Sequence, residues 1–111
     1  YLNAEILGSF KGVEDDANQR LLGMLPEDLQ CDYKPLLSPA GDDAELWTLV
    51  KAADKISALI KCIEERKAGN SEFKRAEQKQ RKTLSAMKLD EADAFIEEFL
   101  SSYELTLDQL N

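Results

Sequence analysis

The sequence of 111 residues has the length of one domain, and its composition, 43% hydrophobic and 32% charged, is typical of a folded globular chain. With 14 basic and 22 acidic residues the formal net charge is −8, which disfavours binding to nucleic-acid polymers and anionic membranes because both are negatively charged. The two cysteines form no C-x-x-C pair and no apolar stretch is long enough to cross a membrane, so we expect a reduced, cytoplasmic protein.

The first third of the chain is predicted to form one amphipathic helix and one short helix. Apolar residues recur every three or four positions, which is the spacing of a helix with one buried stripe. That stripe consists of Leu2, Ile6, Phe10, Val13, Ala17, Leu21 and Leu25. Pro26 can open the short helix, and Pro35, Pro39 and Gly41 then predict a loop. The residues that follow Tyr1 already have a helical pattern, which suggests a fragment of a longer polypeptide.

The longest predicted helix runs from about Asp42 to Lys67. Asp42 is a favourable N-cap and Glu45 can complete a capping box, whereas Gly69 and Asn70 predict the end of the helix. Its apolar stripe is predicted to consist of Leu46, Leu49, Val50, Ala53, Ile56, Ile60 and Ile63.

Two further helices and a terminal turn are predicted in the last third. Ser71 is expected to cap a helix that ends near Met87, Asp90 to begin the next, and Thr106 to begin the turn. The residues expected to face inward are Phe73, Ala76, Leu84 and Met87, followed by Ala94, Phe95, Phe99 and Leu100. No segment alternates polar and apolar residues as a strand does. The predicted fold is therefore all-α, an array of about five helices in a single domain over residues 1–111.

The sequence excludes several kinds of catalytic site. It contains no histidine, so Ser-His and Cys-His catalysis and the H-E-x-x-H zinc site are impossible within this chain. Its glycines match no phosphate-binding loop. The basic run from Lys74 to Lys82 is interrupted by Glu77, and we interpret it as a solvated helix face rather than a phosphate-binding patch. Among the kinds of catalytic group considered, the carboxylates remain as candidates.

Asp54 is the carboxylate that the pattern singles out. Aspartate is unfavourable inside a helix, yet Asp54 lies in the middle of the longest one. It shares a face with Trp47, Val50, Ser57 and Ala58, at the margin of the apolar stripe. We expect a partly desolvated carboxylate there to need a cation. Spacing alone favours an ion pair with Lys51 or Lys55 over a divalent metal, and Glu64 and Glu65 are weaker ligand candidates.

An ordered set of segments resembles a known family. The segment LVKAADKISALIKCIEE, residues 49–65, is similar to the C-terminal half of the bacterial 5′-deoxynucleotidases, in the HD-domain superfamily of metal-dependent phosphohydrolases. The similarity continues in AGNSEF (68–73), MLPEDL (24–29) and SYELTLDQL (102–110). It covers essentially the whole chain in order, so the fold is expected to resemble the C-terminal portion of an HD domain.

The resemblance implies a function and a role for Asp54. In that family an early histidine, an adjacent His-Asp pair and a later aspartate on a helix hold a divalent metal, and Asp54 in its Lys-Ala-Ala-Asp setting matches the last of these. The intact protein is then expected to be a homodimer that hydrolyses deoxynucleoside 5′-monophosphates to deoxynucleoside and phosphate. Asp54 is expected to be a catalytic metal ligand that also orients the attacking water. This chain alone is expected to be inactive, because it lacks the histidines.

One alternative function remains open at this point. The chain is instead a self-contained, non-enzymatic helical module that binds a partner protein through an apolar groove. If a catalytic half is missing, the stripes of the first and third predicted helices should leave apolar surface uncovered, which favours self-association.

Overall fold

The structure is a computed structural model and describes residues 4–38 and 43–110. Every regular element in these two ranges is helical. The elements are α1 (Ala4–Gly23), α2 (Glu27–Leu37), α3 (Ala44–Lys67), α4 (Lys74–Met87) and α5 (Asp90–Phe99), followed by 3₁₀ turns at Leu100–Glu104 and Leu107–Gln109. The predicted all-α fold of about five helices is confirmed. The predicted N-cap, Asp42, lies outside the described residues.

The chain divides into two compact units, Tyr1–Glu45 and Leu46–Asn111. The first unit holds α1 and α2, and the second holds α3 from Leu46 onward with all later elements. The assignment of residues 1–111 to a single HD-like domain therefore stays a prediction.

In the first unit, α2 packs on α1 and little side-chain surface is buried. Leu22 is the buried residue of α1. The side-chain amide of Asn18 donates a hydrogen bond of 3.0 Å to the carbonyl of Leu37 and so joins the two helices. The predicted buried stripe of α1 is wrong. Its described members are exposed or, at the end, half-buried: Ile6, Phe10, Val13, Ala17 and Leu21 are exposed and Leu25 is half-buried. Leu2 lies outside the described residues.

Helix α2 is longer than the sequence predicted. Pro26 precedes its first residue, as expected, but Pro35 lies inside the helix rather than in the following loop. A proline removes one backbone donor and crowds the preceding turn, and at this position only two residues follow it before the helix ends at Leu37. The loop prediction thus placed the end of α2 too early.

The second unit has a well-defined hydrophobic core. The C-terminal half of α3 packs with α4, α5 and the first 3₁₀ turn. The buried cluster consists of Ala52, Ile56, Leu59, Ile63, Leu84, Ala92 and Leu100. Leu59, Ile63 and Leu84 are completely inaccessible to solvent. Each such side chain stabilises the fold by about 1.5–3 kcal/mol relative to an exposed position.

Two details of the C-terminal helices differ from the prediction. Of the residues predicted to face inward, Leu100 is buried as predicted and Phe95 is half-buried, but Ala94 and Phe99 are exposed. Ala92 is buried instead of these two, because the face directed at the core follows the spacing of Ala92, Ile96 and Leu100.

At the start of α4, Ser71 does not cap the helix, which begins three residues later at Lys74. The intervening turn is held by the side chain of Asn70, whose Oδ1 accepts a hydrogen bond of 3.0 Å from the backbone N–H of Glu72. Asn70 therefore organises the turn between α3 and α4, and the prediction that Ser71 caps α4 is wrong.

The end of α3 is formed as predicted, at Gly69. This glycine has φ +88°, and the backbone N–H groups of Gly69 and Asn70 donate to the carbonyls of Arg66 and Glu65 at 3.0 and 2.9 Å. This pair of bonds is a Schellman motif, in which a residue with positive φ satisfies the last carbonyls of a helix. It confirms that Gly69 and Asn70 end the helix.

An ionic cluster fastens the first 3₁₀ turn to α3 and α4. Arg66 donates to Glu77 through Nε at 3.0 Å and to Glu104 through Nη2 at 2.8 Å. Arg81 also pairs with Glu77, at 2.9 Å. The side chain of Glu77 is only 12% exposed, whereas Glu104 is 38% exposed. Glu77 is therefore the central carboxylate of the cluster.

Candidate functional site

Helix α3 carries two apolar faces rather than one. The first is buried in the core and consists of Ala52, Ile56, Leu59 and Ile63. The second, which we call the outer face, is exposed and consists of Leu46, Leu49, Val50 and Ala53. At 3.6 residues per turn the centres of the two faces are separated by about 100° around the helix axis.

The predicted single stripe of α3 is therefore wrong in part. It combined core residues with outer-face residues: Ile56 and Ile63 are buried and Ile60 is half-buried, but the four outer-face residues are exposed. The prediction missed Ala52 and Leu59, although their spacing relative to Ile56 and Ile63 is also helical. A helix with two apolar faces has more apolar positions than one stripe can contain. The number of apolar residues in α3 was therefore the signal in the sequence that could have indicated a second face.

Asp54 lies at the margin of the outer face. Its position on α3 is about 40° around the axis from Val50, and it is exposed rather than partly desolvated as expected. Within the described residues, its carboxylate makes no ion pair with Lys51 or Lys55 and no hydrogen bond. The ion pair that spacing favoured is thus absent, and the carboxylate is available to a ligand that approaches the outer face.

Glu64 and Glu65, the other candidate ligands on α3, differ in the contacts that their side chains make. Glu65 pairs with Lys61 at 2.7 Å and accepts a hydrogen bond of 2.9 Å from the amide of Asn70. Hydrogen bonds from Lys61 and Asn70 lower the pKa of the Glu65 carboxyl. Glu65 therefore has a structural role at the end of the helix. Glu64 is exposed.

The described residues do not by themselves fit a metal ion. Across residues 4–38 and 43–110, no three His, Cys, Asp or Glu side chains are grouped so that they can hold one. A divalent cation needs several converging ligands for useful affinity, and Asp54 supplies one. The cysteines do not change this, since both are free, with Cys62 buried in α3 and Cys31 exposed on α2.

The basic run on α4 has the character of a solvated face. The cationic residues Lys74, Arg75, Lys79, Arg81 and Lys82 are exposed. Arg81 is already paired with Glu77, so the acidic residue that interrupts the run also neutralises part of it. None of the helices that the structure describes is long and apolar enough to span a membrane.

The class of protein follows from comparison with known families. Residues 1–103 match the YfbR-like family of 5′-deoxynucleotidases. This chain belongs to that family, as the sequence resemblance predicted. The match covers both compact units, from α1 to the first 3₁₀ turn.

Individual relatives agree with the family assignment. The chain is 40% identical over all of its 111 residues to a 5′-deoxynucleotidase of Vibrio atlanticus, and spans 57% of that protein's length. It is likewise 40% identical over its whole length to 5′-deoxynucleotidase PBPRA2627 of Photobacterium profundum and to 5′-deoxynucleotidase YfbR of Escherichia coli O1:K1, with 57% and 56% of those proteins covered. The chain thus spans little more than half the length of these relatives.

Proposed function

We propose that the intact protein is a metal-dependent phosphohydrolase that converts deoxynucleoside 5′-monophosphates into deoxynucleoside and phosphate. The observation that supports this most is the family match over residues 1–103, together with the 5′-deoxynucleotidases that match the whole chain. The described part of the chain contains no group of three side chains that could hold a metal ion, so the proposal applies to the intact protein and not to these residues alone.

Asp54 is proposed as the ligand that this chain contributes. Three properties support the role: its position in the Lys-Ala-Ala-Asp segment, its exposure on α3, and the absence of an ion-pair partner among the described residues. The rigid helix fixes the carboxylate at one margin of the outer face, so groups brought to that face can converge on it. When bound, a divalent metal in such a site supplies positive charge for the phosphoryl oxygens and a water of lowered pKa.

The oligomeric state and the location in the cell belong to the same proposal. A cytoplasmic homodimer is supported by the family resemblance, and exposed apolar residues on α1 and α3 provide surface for association. These exposed residues also support the alternative of a non-enzymatic interaction module. The two functions are separated by catalysis, because only the enzyme releases phosphate.

The test uses a chimera, in which this chain is joined to the segment of the Vibrio atlanticus relative that it does not match, in the order found in that relative. We expect metal-dependent release of phosphate from deoxynucleoside 5′-monophosphates. Asp54→Ala should lower both the amount of bound divalent metal and the rate by about 100-fold or more, since loss of a residue that only hydrogen-bonds to a metal ligand already costs about 10–100-fold. Asp93→Ala, at an exposed aspartate of α5, is the matched control and should have no effect. Full activity in the Asp54→Ala variant would refute the proposal that Asp54 is a metal ligand. An inactive parent chimera would refute the proposal that the intact protein is a phosphohydrolase.

A further inference from the structure

We infer that the second unit contains a binding site for a phosphate group, free or in a monoester, in a cavity between the end of α3 and the first two turns of α4. The cavity has a volume of about 260 Å³. It is lined by Arg66, Lys74, Glu77, Gln78 and Arg81. The inference goes beyond the proposed function and uses none of the residues on which that function rests. Arg66 lies twelve residues after Asp54 on α3, about 18 Å along the helix axis.

The first observation is that two helices bring three cations to one space. Lys74, Gln78 and Arg81 stand at positions i, i+4 and i+7 of α4 and therefore share one side of that helix. Arg66 comes from the last turn of α3 and is not part of the basic run of α4. The run along α4 is a solvated face by itself, whereas the cavity adds a cation from a second helix. An anion in the cavity would therefore be in contact with positive charge on two sides.

The second observation is that both arginines of the lining are already fixed in position. Arg66 donates to Glu77 through Nε at 3.0 Å and to Glu104 through Nη2 at 2.8 Å, and Arg81 donates to Glu77 through Nη2 at 2.9 Å. A guanidinium has five N–H donors, and among the described contacts Nη1 of neither arginine is used. Each arginine therefore keeps two donors for a ligand, and little side-chain freedom remains to be lost when the ligand binds.

The third observation is that the carboxylates of the ionic cluster do not cancel the positive charge of the lining. The side chain of Glu77 is only 12% exposed, and Glu104 is not part of the lining. The ammonium group of Lys74 is exposed and makes no ion pair or hydrogen bond within the described residues. No side chain caps the start of α4, where Lys74 is the first residue, so the positive end of the helix dipole adds to the same charge.

The lining also determines the chemical class of the ligand. Guanidinium and ammonium groups donate hydrogen bonds and accept none, which matches the several acceptor oxygens of a phosphate group. None of the five lining residues has an aromatic or purely apolar side chain, so the lining offers no stacking surface for a nucleobase. We therefore expect the cavity to recognise the phosphate group itself, and an attached nucleoside to add little to the affinity.

The experiment follows the side chains of Arg66 and Arg81 by NMR in the 111-residue chain. Their Nε–Hε resonances are recorded at neutral pH while inorganic phosphate replaces sodium chloride at constant ionic strength. Lys74→Gln removes the unpaired cation of the lining, and Lys74→Arg keeps a cation there. Lys79→Gln is the matched control, since Lys79 is an exposed lysine of the same helix that does not line the cavity. A second titration uses a deoxynucleoside 5′-monophosphate.

We expect both arginine resonances to shift and to saturate as phosphate is added. Lys74→Gln should weaken binding by about tenfold, because a charge-assisted hydrogen bond is lost, whereas Lys79→Gln should change it by less than about twofold. Lys74→Arg should bind phosphate about as well as the parent does. The nucleotide should bind with an affinity within about threefold of that of phosphate, because the nucleoside finds no apolar or aromatic partner.

Three results would overturn the inference. Arginine resonances that do not move, or that drift in proportion to phosphate without saturating, would show that the cluster only fastens the 3₁₀ turn. Equal weakening by Lys74→Gln and Lys79→Gln would show that phosphate responds to the general charge of α4 and not to the cavity. Binding of the nucleotide much more tightly than phosphate would show that the ligand is not recognised through its phosphate group.

Discussion

Two leucines of α3 provide a direct comparison of its two faces. Leu59 is completely buried in the core of the second unit, whereas Leu46 on the outer face is 60% exposed. The same substitution, leucine to alanine in the same helix, therefore differs mainly in the burial of the side chain. The change in helix propensity from leucine to alanine is the same in both variants. A difference between their stabilities therefore reflects tertiary packing.

The expected magnitudes follow from burial. Leu59→Ala removes contacts and leaves a cavity, at a cost of about 3–5 kcal/mol in free energy of unfolding. Leu46→Ala removes a side chain that has lost less than half of its contact with water, so the cost is at most about 1 kcal/mol. With a urea dependence of about 1.5 kcal/mol per molar, the midpoint falls by about 2 M or more for Leu59→Ala and by less than about 0.7 M for Leu46→Ala.

Urea denaturation measured by circular dichroism at 222 nm provides the assay, with the fluorescence of Trp47, which is also in the second unit, as a second probe. Coincident transitions by the two probes are required for a two-state comparison. Equal midpoint shifts for Leu59→Ala and Leu46→Ala would refute the assignment of the two faces. So would a larger shift for Leu46→Ala.

Two further predictions concern the end of α3 and its ionic cluster. Burial of the Glu77 carboxyl raises its pKa, but the hydrogen bonds from Arg66 and Arg81 outweigh burial and the net effect is a lowered pKa. The carboxylate therefore stabilises the fold at neutral pH, and this contribution is lost as the pH falls from about 5 through the lowered pKa. Glu77→Gln should lower the melting temperature at pH 7 and flatten its decline in acid, whereas parallel curves for variant and parent would contradict the ionic role. Gly69→Ala should cost about 1 kcal/mol in urea denaturation, since its φ of +88° is unfavourable for alanine although a Cβ would meet no atom within 4 Å; an unchanged midpoint would show that the strain is absent.

The helices were predictable where local signals determine them. The end of α3 follows from Gly69 and Asn70, the start of α5 at Asp90 is correct, and Thr106 precedes the terminal turn as predicted. Each of these depends on residues within one turn of the helix end. The prediction that Ser71 caps α4 was wrong, because the side chain of Asn70 organises the turn before that helix.

Burial was less predictable because it depends on what lies against a helix. The spacing of apolar residues on α1 correctly predicted a helix, but not that Phe10 and Val13 would be exposed in the unit that contains them. On α3 the periodicity could not separate two faces that are about 100° apart, since both have helical spacing. Sequence patterns report which residues are apolar, and only the structure shows which of them have a partner.

Asp54 illustrates the same limit for the candidate site. Its unusual position inside a helix was recognisable, but spacing favoured an ion pair with Lys51 or Lys55 that the structure does not contain. The metal-ligand role rests on the resemblance around Lys-Ala-Ala-Asp and stays a prediction. No pattern within the chain indicates the remaining ligands, because it contains no histidine.

The core of the second unit has a consequence for the order of folding. All of its buried residues, from Ala52 to Leu100, come from one continuous stretch of fewer than fifty residues. Contacts this local close short loops and so favour rapid folding. The C-terminal half of α3 can therefore be packed against α4 and α5 before anything reaches the outer face. In that order of events the first half of α3 extends from a core that is already packed, so its exposed residues are held on an ordered helix.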